Sequence, residues 1–239
     1  MASTDRIQLA PAFVLHRRPY RETSLLLDVF SQDYGRIGLV ARGAKSPKSR
    51  QRGELQPFTP VTLSWMQRGE LGTLTAVEGN TPTYVLTGSA LYSAFYLNEL
   101  LVRLLARHDP HLKLFAYYQA SLESLAANSS IEVTLRLFEK HLLTELGYGL
   151  LLDIDSGSGL SIQPDEYYDY HLESGPMHIE NAQSGGFVFK GSSLLALEQD
   201  TLDDDQYLLD AKRLMRAVLN LYLGDKPLKS RELFRKKTH

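Results

Sequence analysis

SLLLDVFSQDYGRIGLVAR, residues 24–42, decides how the first third of the chain is read. Two short runs rich in Leu, Val, Ile and Phe flank Asp33-Tyr34-Gly35, where glycine can supply the positive φ of a tight reversal. Apolar runs of this length, bounded by Gly and Asp, read as strands at residues 24–30 and 36–42, joined as a hairpin. Working outward, residues 12–16, 58–66 and 71–78 show the same pattern, with Gln67-Arg68-Gly69-Glu70 as a second turn. Five short strands predict a small barrel or sandwich. A five-stranded OB barrel fits, and an SH3-like barrel satisfies the same pattern.

From Gly88 the apolar period lengthens from two to about 3.6 residues, which is the repeat of a helix with one buried stripe. Leu91, Phe95, Leu101, Leu104 and Leu105 supply that stripe. Ser89 is the expected cap, and Asp109-Pro110 the expected stop, because the residue before a proline is biased away from helical geometry. Helices are also predicted over residues 112–126 and 131–146, the latter with Ser130 as cap and Gly147 as its left-handed terminator. Three helices in succession predict a bundle. The helical period fails over about 153–191, read as an irregular or weakly β-structured insert. It returns at residues 192–198 and 205–223, where Asp203, Asp204 and Asp205 suit the positive end of a helix dipole. The last residues are expected to fray beyond Phe234. The expected architecture is α+β in two domains: an OB-fold barrel at 1–80, then an all-helical domain at 81–239 carrying the insert, with the boundary near residues 80–88.

The 239 residues are 43% apolar and 23% charged, as in ordinary globular proteins, and include no cysteine. Disulfides, Cys-ligated zinc, iron–sulfur clusters and a thiol nucleophile are therefore excluded. The first ten residues lack an apolar export segment, and no later stretch approaches about 18 uninterrupted apolar residues. A soluble, cytoplasmic protein is expected. The net charge of −2 conceals an uneven distribution. Lys plus Arg against Asp plus Glu stand at 11 to 7 over residues 1–79, 5 to 6 over 80–152, 1 to 13 over 153–210, and 9 to 2 over 211–239. Two basic ends around an acidic stretch suggest a polyanion held at the ends and kept from the middle.

The sharpest candidate site is the segment from Arg36 to Arg52, which holds Arg36, Arg42, Lys45, Lys48, Arg50 and Arg52 and no acidic residue. Gly43, Ser46, Pro47, Ser49 and Gly53 mark it as a flexible, exposed loop between the third and fourth strands. Such a loop can follow a phosphate backbone with little sequence information; an isolated basic loop is as often merely solvated. His16-Arg17-Arg18-Pro19-Tyr20-Arg21 is a second basic run, which either extends that surface or pairs with carboxylates such as Glu22 and Asp28. Tyr20, Phe30, Tyr34, Phe58 and Trp65 are the aromatic candidates for stacking on bases, most of them destined for the core. His108 and His111 have H-x-x-H spacing, but Pro110 breaks the helix and no third ligand accompanies them, so no metal is expected. No Walker A segment, dinucleotide fingerprint or G-x-S-x-G is present. No catalytic constellation and no cofactor follow from the residues.

AFVLHRRPY at 12–20, ETSL at 22–25, GR at 35–36, LVARGA at 39–44 and LQPFTP at 55–60 closely resemble, in order and spacing, the N-terminal half of RecO recombination mediators. The resemblance continues through LY at 91–92, YLNELL at 96–101, LRLFE at 135–139, LGYG at 146–149 and KPLKSRELF at 226–234, nearly the whole chain. It implies an OB domain followed by a helical domain, binding to single- and double-stranded DNA, and annealing of complementary strands. It also implies partnership with RecR and with the tail of single-strand-binding protein, and help in loading a RecA-type recombinase. Some members carry a four-cysteine zinc element between the equivalents of Leu150 and Phe189; this chain cannot, so its insert needs other contacts. The resemblance places Arg136 at the position of a basic residue that meets the acidic tail of single-strand-binding protein.

The principal expectation is thus a non-enzymatic mediator that works by binding. The alternative is an adaptor whose main role is recruiting proteins to repair sites, with secondary DNA affinity. An RNA-binding barrel protein is a third reading permitted by the barrel alone.

Overall fold

The computed structural model describes residues 5–80, 84–127, 129–183 and 185–235. Part of the expected domain boundary, residues 81–83, and most of the expected fraying end, residues 236–239, lie outside them. Two compact units are present, residues 1–129 with 227–239, and residues 130–226.

In the first unit, β1 (Asp5–Tyr20), β2 (Ser24–Ser31), β3 (Gly35–Ala41), β4 (Pro60–Arg68) and β5 (Leu71–Gly79) are accompanied by a helical turn, α1 (Gln51–Glu54). The helices α2 (Gly88–Leu104) and α3 (Leu112–Ala126) complete the consecutive part of the unit. Both expected hairpins form, β2–β3 and β4–β5. β1 pairs with β2 on one side and β4 on the other, while β3 meets β5 in parallel through Gly38–Leu71, Leu39–Gly72 and Val40–Thr73. The sheet therefore closes as a barrel in the order β1-β2-β3-β5-β4.

β1 has 16 residues where five were expected. Its first half serves β4 and its second half β2, with an irregularity between Ile7 and Ala10 where Leu9 takes φ +53°. That bulge breaks the two-residue alternation by which a strand is recognised.

Val14, Leu27, Val29, Ile37, Leu39, Val61, Leu63 and Trp65 fill the barrel. Strand alternation turns Phe13 and Phe30 to the outside, yet both are buried, because α3 brings Phe115 and Tyr118 onto them. Phe13 lies 5.3 Å from Phe115 and 5.1 Å from Tyr118 between ring centroids. The buried Tyr118 hydroxyl donates to Asn98 Oδ1 at 2.5 Å, and Asn98 Nδ2 donates to the Leu15 carbonyl at 2.8 Å. This relay ties both helices to β1 and satisfies polar atoms that would be costly to bury alone. Burial pushes the Tyr118 phenol well above its usual range.

These contacts correct the expectation of a bundle made by three successive helices: α2 and α3 lie in the barrel's unit, and the third predicted helix belongs to the other. α2 begins at Gly88 with Thr87 as its N-cap, without a side-chain capping bond, so Ser89 is not the cap. It ends at Leu104, since Leu105 is already extended, before the expected Asp109-Pro110 stop. The segment after it runs against the β2–β3 turn. There Gly35 takes φ +65°, and a Cβ on it would lie 2.0 Å from the Asp109 carbonyl oxygen. Glycine is required at this point for both conformation and space.

The second unit contains α4 (Ile131–Glu145), β6 (Tyr167–His171), β7 (Gly175–Ile179), β8 (Val188–Lys190), α5 (Gly191–Glu198) and α6 (Asp205–Leu223). Ser130 caps α4 by accepting from Val133 N, Asp204 caps α6 by accepting from Gln206 N, Gly147 has the positive φ expected of it, and Gly224, just past α6, has a positive φ as well. The insert is more ordered than its composition suggests, with a three-stranded sheet in the order β7-β6-β8. A turn at residues 155–159 lies along β7. The buried Asp155 carboxylate accepts from Gly157 N at 3.0 Å, His178 N at 3.2 Å and Ser158 Oγ at 2.5 Å, while Ser156 N donates to the Pro176 carbonyl at 2.7 Å. Lys140 holds the end of α5 by donating to the carbonyls of Leu197 at 2.9 Å and Glu198 at 2.8 Å, where a cation suits the negative end of the dipole.

The chain's last helix, α7 (Ser230–Arg235), returns to the barrel's unit. The Glu99 carboxylate, on α2, accepts from Lys229 N at 2.9 Å and Ser230 N at 2.8 Å. Among the described residues no helix is long and apolar enough to cross a membrane.

Candidate nucleic-acid interface

Arg42, Lys45, Lys48, Arg50 and Arg52 all have exposed side chains on the segment between β3 and β4. The segment is a chain of turns rather than a featureless loop. Ser46 N donates to Gly43 O at 3.3 Å, Ser49 N to Ser46 O at 3.0 Å and Arg52 N to Ser49 O at 3.2 Å, leading into α1. Ala44 and Leu55 are fully buried in the barrel core and anchor its two ends. Lys45 N also donates to Thr23 O at 3.0 Å, tying it to the β1–β2 turn. Five cations are thus presented over eleven residues on a backbone restrained at several points.

Arg17 has a different role from the one its basic run suggests. Its guanidinium donates at 3.3 Å to the carbonyls of both Arg52 and Leu55, so it holds the end of α1 rather than pairing with a carboxylate. Burial, and then repulsion from Arg52, lower its pKa from the usual value. Asp28, one of the carboxylates considered for that run, pairs instead with Arg107 at 3.3 Å.

Arg36 stands apart from the other basic residues of the segment. It is half-buried on β3 and its guanidinium donates to the Val102 carbonyl at the end of α2. Burial lowers its pKa, with Asp28 opposing and Arg107 adding to the effect. Arg136, on α4, is 9% exposed and makes a 2.6 Å ion pair with Glu139.

Of the five aromatic candidates, three are internal. Phe30 is 0% exposed beneath α3, Trp65 is 1% exposed in the barrel, and Phe58 is 6% exposed with its ring 4.9 Å from Phe95. Tyr34 is 41% exposed and packs edge-on to Trp65 at 5.2 Å. Tyr20 is half-buried at the end of β1 and has the Arg21 guanidinium 5.2 Å from its ring centre. His111 lies 3.4 Å from Asp109, and among the described residues no group of three or more His, Asp or Glu side chains is placed to hold a metal ion.

A cleft of about 610 Å³ opens beside the segment, lined by the β1–β2 turn from Tyr20 to Ser24, by Val40 and Arg42 from β3 and its extension, and by Thr73 from β5. Sequence reasoning missed it. The parallel β3–β5 pairing is what places Thr73 beside Val40, and no local signal announces a pairing over that separation.

The five-stranded barrel with its cationic segment, and the helices and small sheet that follow it in sequence, are each matched by a family model of recombination proteins. Residues 6–82 match the model of the Recombination protein O N terminal, and residues 86–232 that of the Recombination protein O C terminal. The DNA repair protein RecO of Nitrosococcus oceani is 50% identical over 228 residues, covering 95% of this chain and 93% of the relative. That of Coxiella burnetii is 48% identical over 230 residues, with 96% and 99% covered, and that of Dechloromonas aromatica 44% identical over 234 residues, with 97% and 96% covered. The chain belongs to the RecO family of DNA repair proteins.

Proposed function

We propose that this protein is a recombination mediator that binds single- and double-stranded DNA, anneals complementary strands, and helps load a RecA-type recombinase onto DNA coated by single-strand-binding protein. The observation that carries the reading is the restrained, exposed cluster of Arg42, Lys45, Lys48, Arg50 and Arg52 on the barrel. Each phosphate neutralised by such a cation releases condensed counterions, and two strands relieved of mutual repulsion can approach and pair. No covalent step is needed. Arg36 joins the proposed DNA-binding set from the edge, since its guanidinium is already engaged with Val102.

The barrel is assigned to the OB type, with residues 1–80 as the DNA-binding domain and 81–239 as the helical domain. The strand order and the parallel closure between β3 and β5 support the barrel type, and the two family models, which divide between residues 82 and 86, support the boundary, although α2, α3 and α7 belong to the barrel's compact unit. RecR and the tail of single-strand-binding protein are the proposed partners. At Arg136 the tail carboxylate has to compete with Glu139 for the guanidinium. Glu139→Gln should therefore tighten a tail peptide if Arg136 is its contact, and leave its affinity unchanged if it is not.

The test of the mediator reading is the rate at which complementary oligonucleotides anneal, bare and coated with single-strand-binding protein. Acceleration in both states is expected. No acceleration in either would remove the reading. An adaptor would keep its partners and repair role after alanine replacement of Lys45, Lys48, Arg50 and Arg52, whereas the mediator should lose repair.

A further inference from the structure

The cleft beside the basic segment has a chemistry that the segment lacks. The cations outside it can follow any phosphate backbone, paired or unpaired. The cleft combines an aromatic ring at Tyr20, a guanidinium against that ring at Arg21, an apolar wall at Val40, hydroxyls at Thr23, Ser24 and Thr73, and two cations, Arg21 and Arg42, against one carboxylate, Glu22. It is an open cleft of about 610 Å³, accessible from solvent.

The cleft is also held in shape. Tyr20 pairs with Ser24 across the end of the β1–β2 hairpin, and Val40 pairs with Thr73 across the barrel's parallel seam. The intervening Thr23 carbonyl is fixed by Lys45 N at 3.0 Å. Arg21 takes φ +53°, a left-handed conformation unfavourable for a side chain of its size, and one that a tight turn there could obtain more cheaply with glycine. Non-glycine residues in such conformations concentrate where a ligand or a mechanism requires the side chain. Here the strained turn carries the guanidinium that lies against Tyr20.

We propose that this cleft receives one unstacked nucleotide of a DNA single strand, with its base against the Tyr20–Arg21 pair and its phosphate on Arg42. Bases stack on aromatic rings and guanidinium planes regardless of sequence, because every base has a π face. A paired and stacked base in duplex cannot enter. The cleft therefore supplies preference for single strands, while the exposed segment holds either form. This inference rests on the reading that the segment binds DNA, and it adds the group that distinguishes the two forms.

The experiment compares equilibrium affinity for a fluorescent oligothymidine and for a duplex of equal length at one salt concentration, in the full chain and in Tyr20→Ala and Tyr20→Phe. The ratio of single-strand to duplex affinity should fall about tenfold in Tyr20→Ala, the usual scale for loss of one base–aromatic stack, and stay within about twofold in Tyr20→Phe. A ratio unchanged in Tyr20→Ala, whether both affinities persist or both fall together, overturns the proposal. A second measurement needs no variant. The unaltered protein should bind an abasic single strand, with the same phosphates and no bases, about tenfold more weakly than oligothymidine; equal binding overturns the proposal. Failure of the underlying reading is separable, because it shows as an unchanged salt dependence when the segment's cations are removed, whatever the base preference.

Discussion

Replacing Asp155 should loosen the insert of the second unit, because its carboxylate ties the turn at residues 155–159 to β7. It accepts three hydrogen bonds, two from backbone N–H groups and one from a hydroxyl, at distances from 2.5 to 3.2 Å. Bonds to a charged acceptor contribute about 1.5–3 kcal/mol each at most, and these three share one acceptor group, so Asp155→Ala should cost about 3 kcal/mol. Asp155→Asn keeps an oxygen for the two backbone donors, and the Ser158 hydroxyl can turn to accept, so its cost should be nearer 1 kcal/mol. Burial alone would raise the Asp155 pKa, but the Ser158 hydroxyl and the amides around the carboxylate, Gly157 and His178 among them, outweigh it and hold the acid below its usual value. A depressed folded pKa gives stability that is complete above the unfolded value of about 4 and lost as pH falls through the folded one. The gap between the native chain and Asp155→Asn should therefore close below about pH 4. Hydrogen exchange at the amides of Gly157 and His178, with denaturant unfolding followed in parallel, reads these effects locally and globally. Unchanged protection of both amides in Asp155→Ala would refute the role given to this carboxylate.

Two further predictions concern the barrel's unit. Gly35→Ala puts a methyl group onto the Asp109 carbonyl and strains a positive φ, so the melting temperature of the chain should fall by roughly 5–10 °C in a thermal scan. Tyr118→Phe leaves Asn98 Oδ1 buried without the hydroxyl that reaches it at 2.5 Å, and should lower stability by about 1–2 kcal/mol in urea unfolding while DNA binding persists.

The strands were legible where alternation is local, as in residues 24–42, and both hairpins follow from turns with glycine. Helix α4 was legible from periodicity and its two ends, Ser130 and Gly147, and the start of α6 from the carboxylates that include its cap, Asp204. What escaped were consequences of pairing over distance. Phe30 looked available for stacking because nothing beside it announces that Phe115, on a helix beyond the barrel, will cover it. Arg36 read as a free cation because a charge is visible in sequence and its partner, a carbonyl on α2, is not, and the resemblance that set Arg136 toward a partner's tail gave no sign of its pairing with Glu139 a turn away on the same helix. Arg17 as the anchor of α1, and the cleft completed by Thr73, depend on the closed sheet in the same way. The segment from Arg42 to Arg52 was legible as a basic surface because its exposure follows from composition, although its turns do not.

DNA affinity across a salt series, measured by fluorescence anisotropy for the native chain and for Lys45→Ala/Lys48→Ala/Arg50→Ala/Arg52→Ala, bears most directly on whether these cations meet phosphates. Neutralising one phosphate contributes about 0.9 to the slope of log affinity against log salt on duplex and about 0.7 on single strands. If each of the four cations meets one phosphate, the variant's slope should be shallower by roughly 3.6 on duplex and 2.8 on single strands. Identical slopes for variant and native chain on both forms would contradict the account.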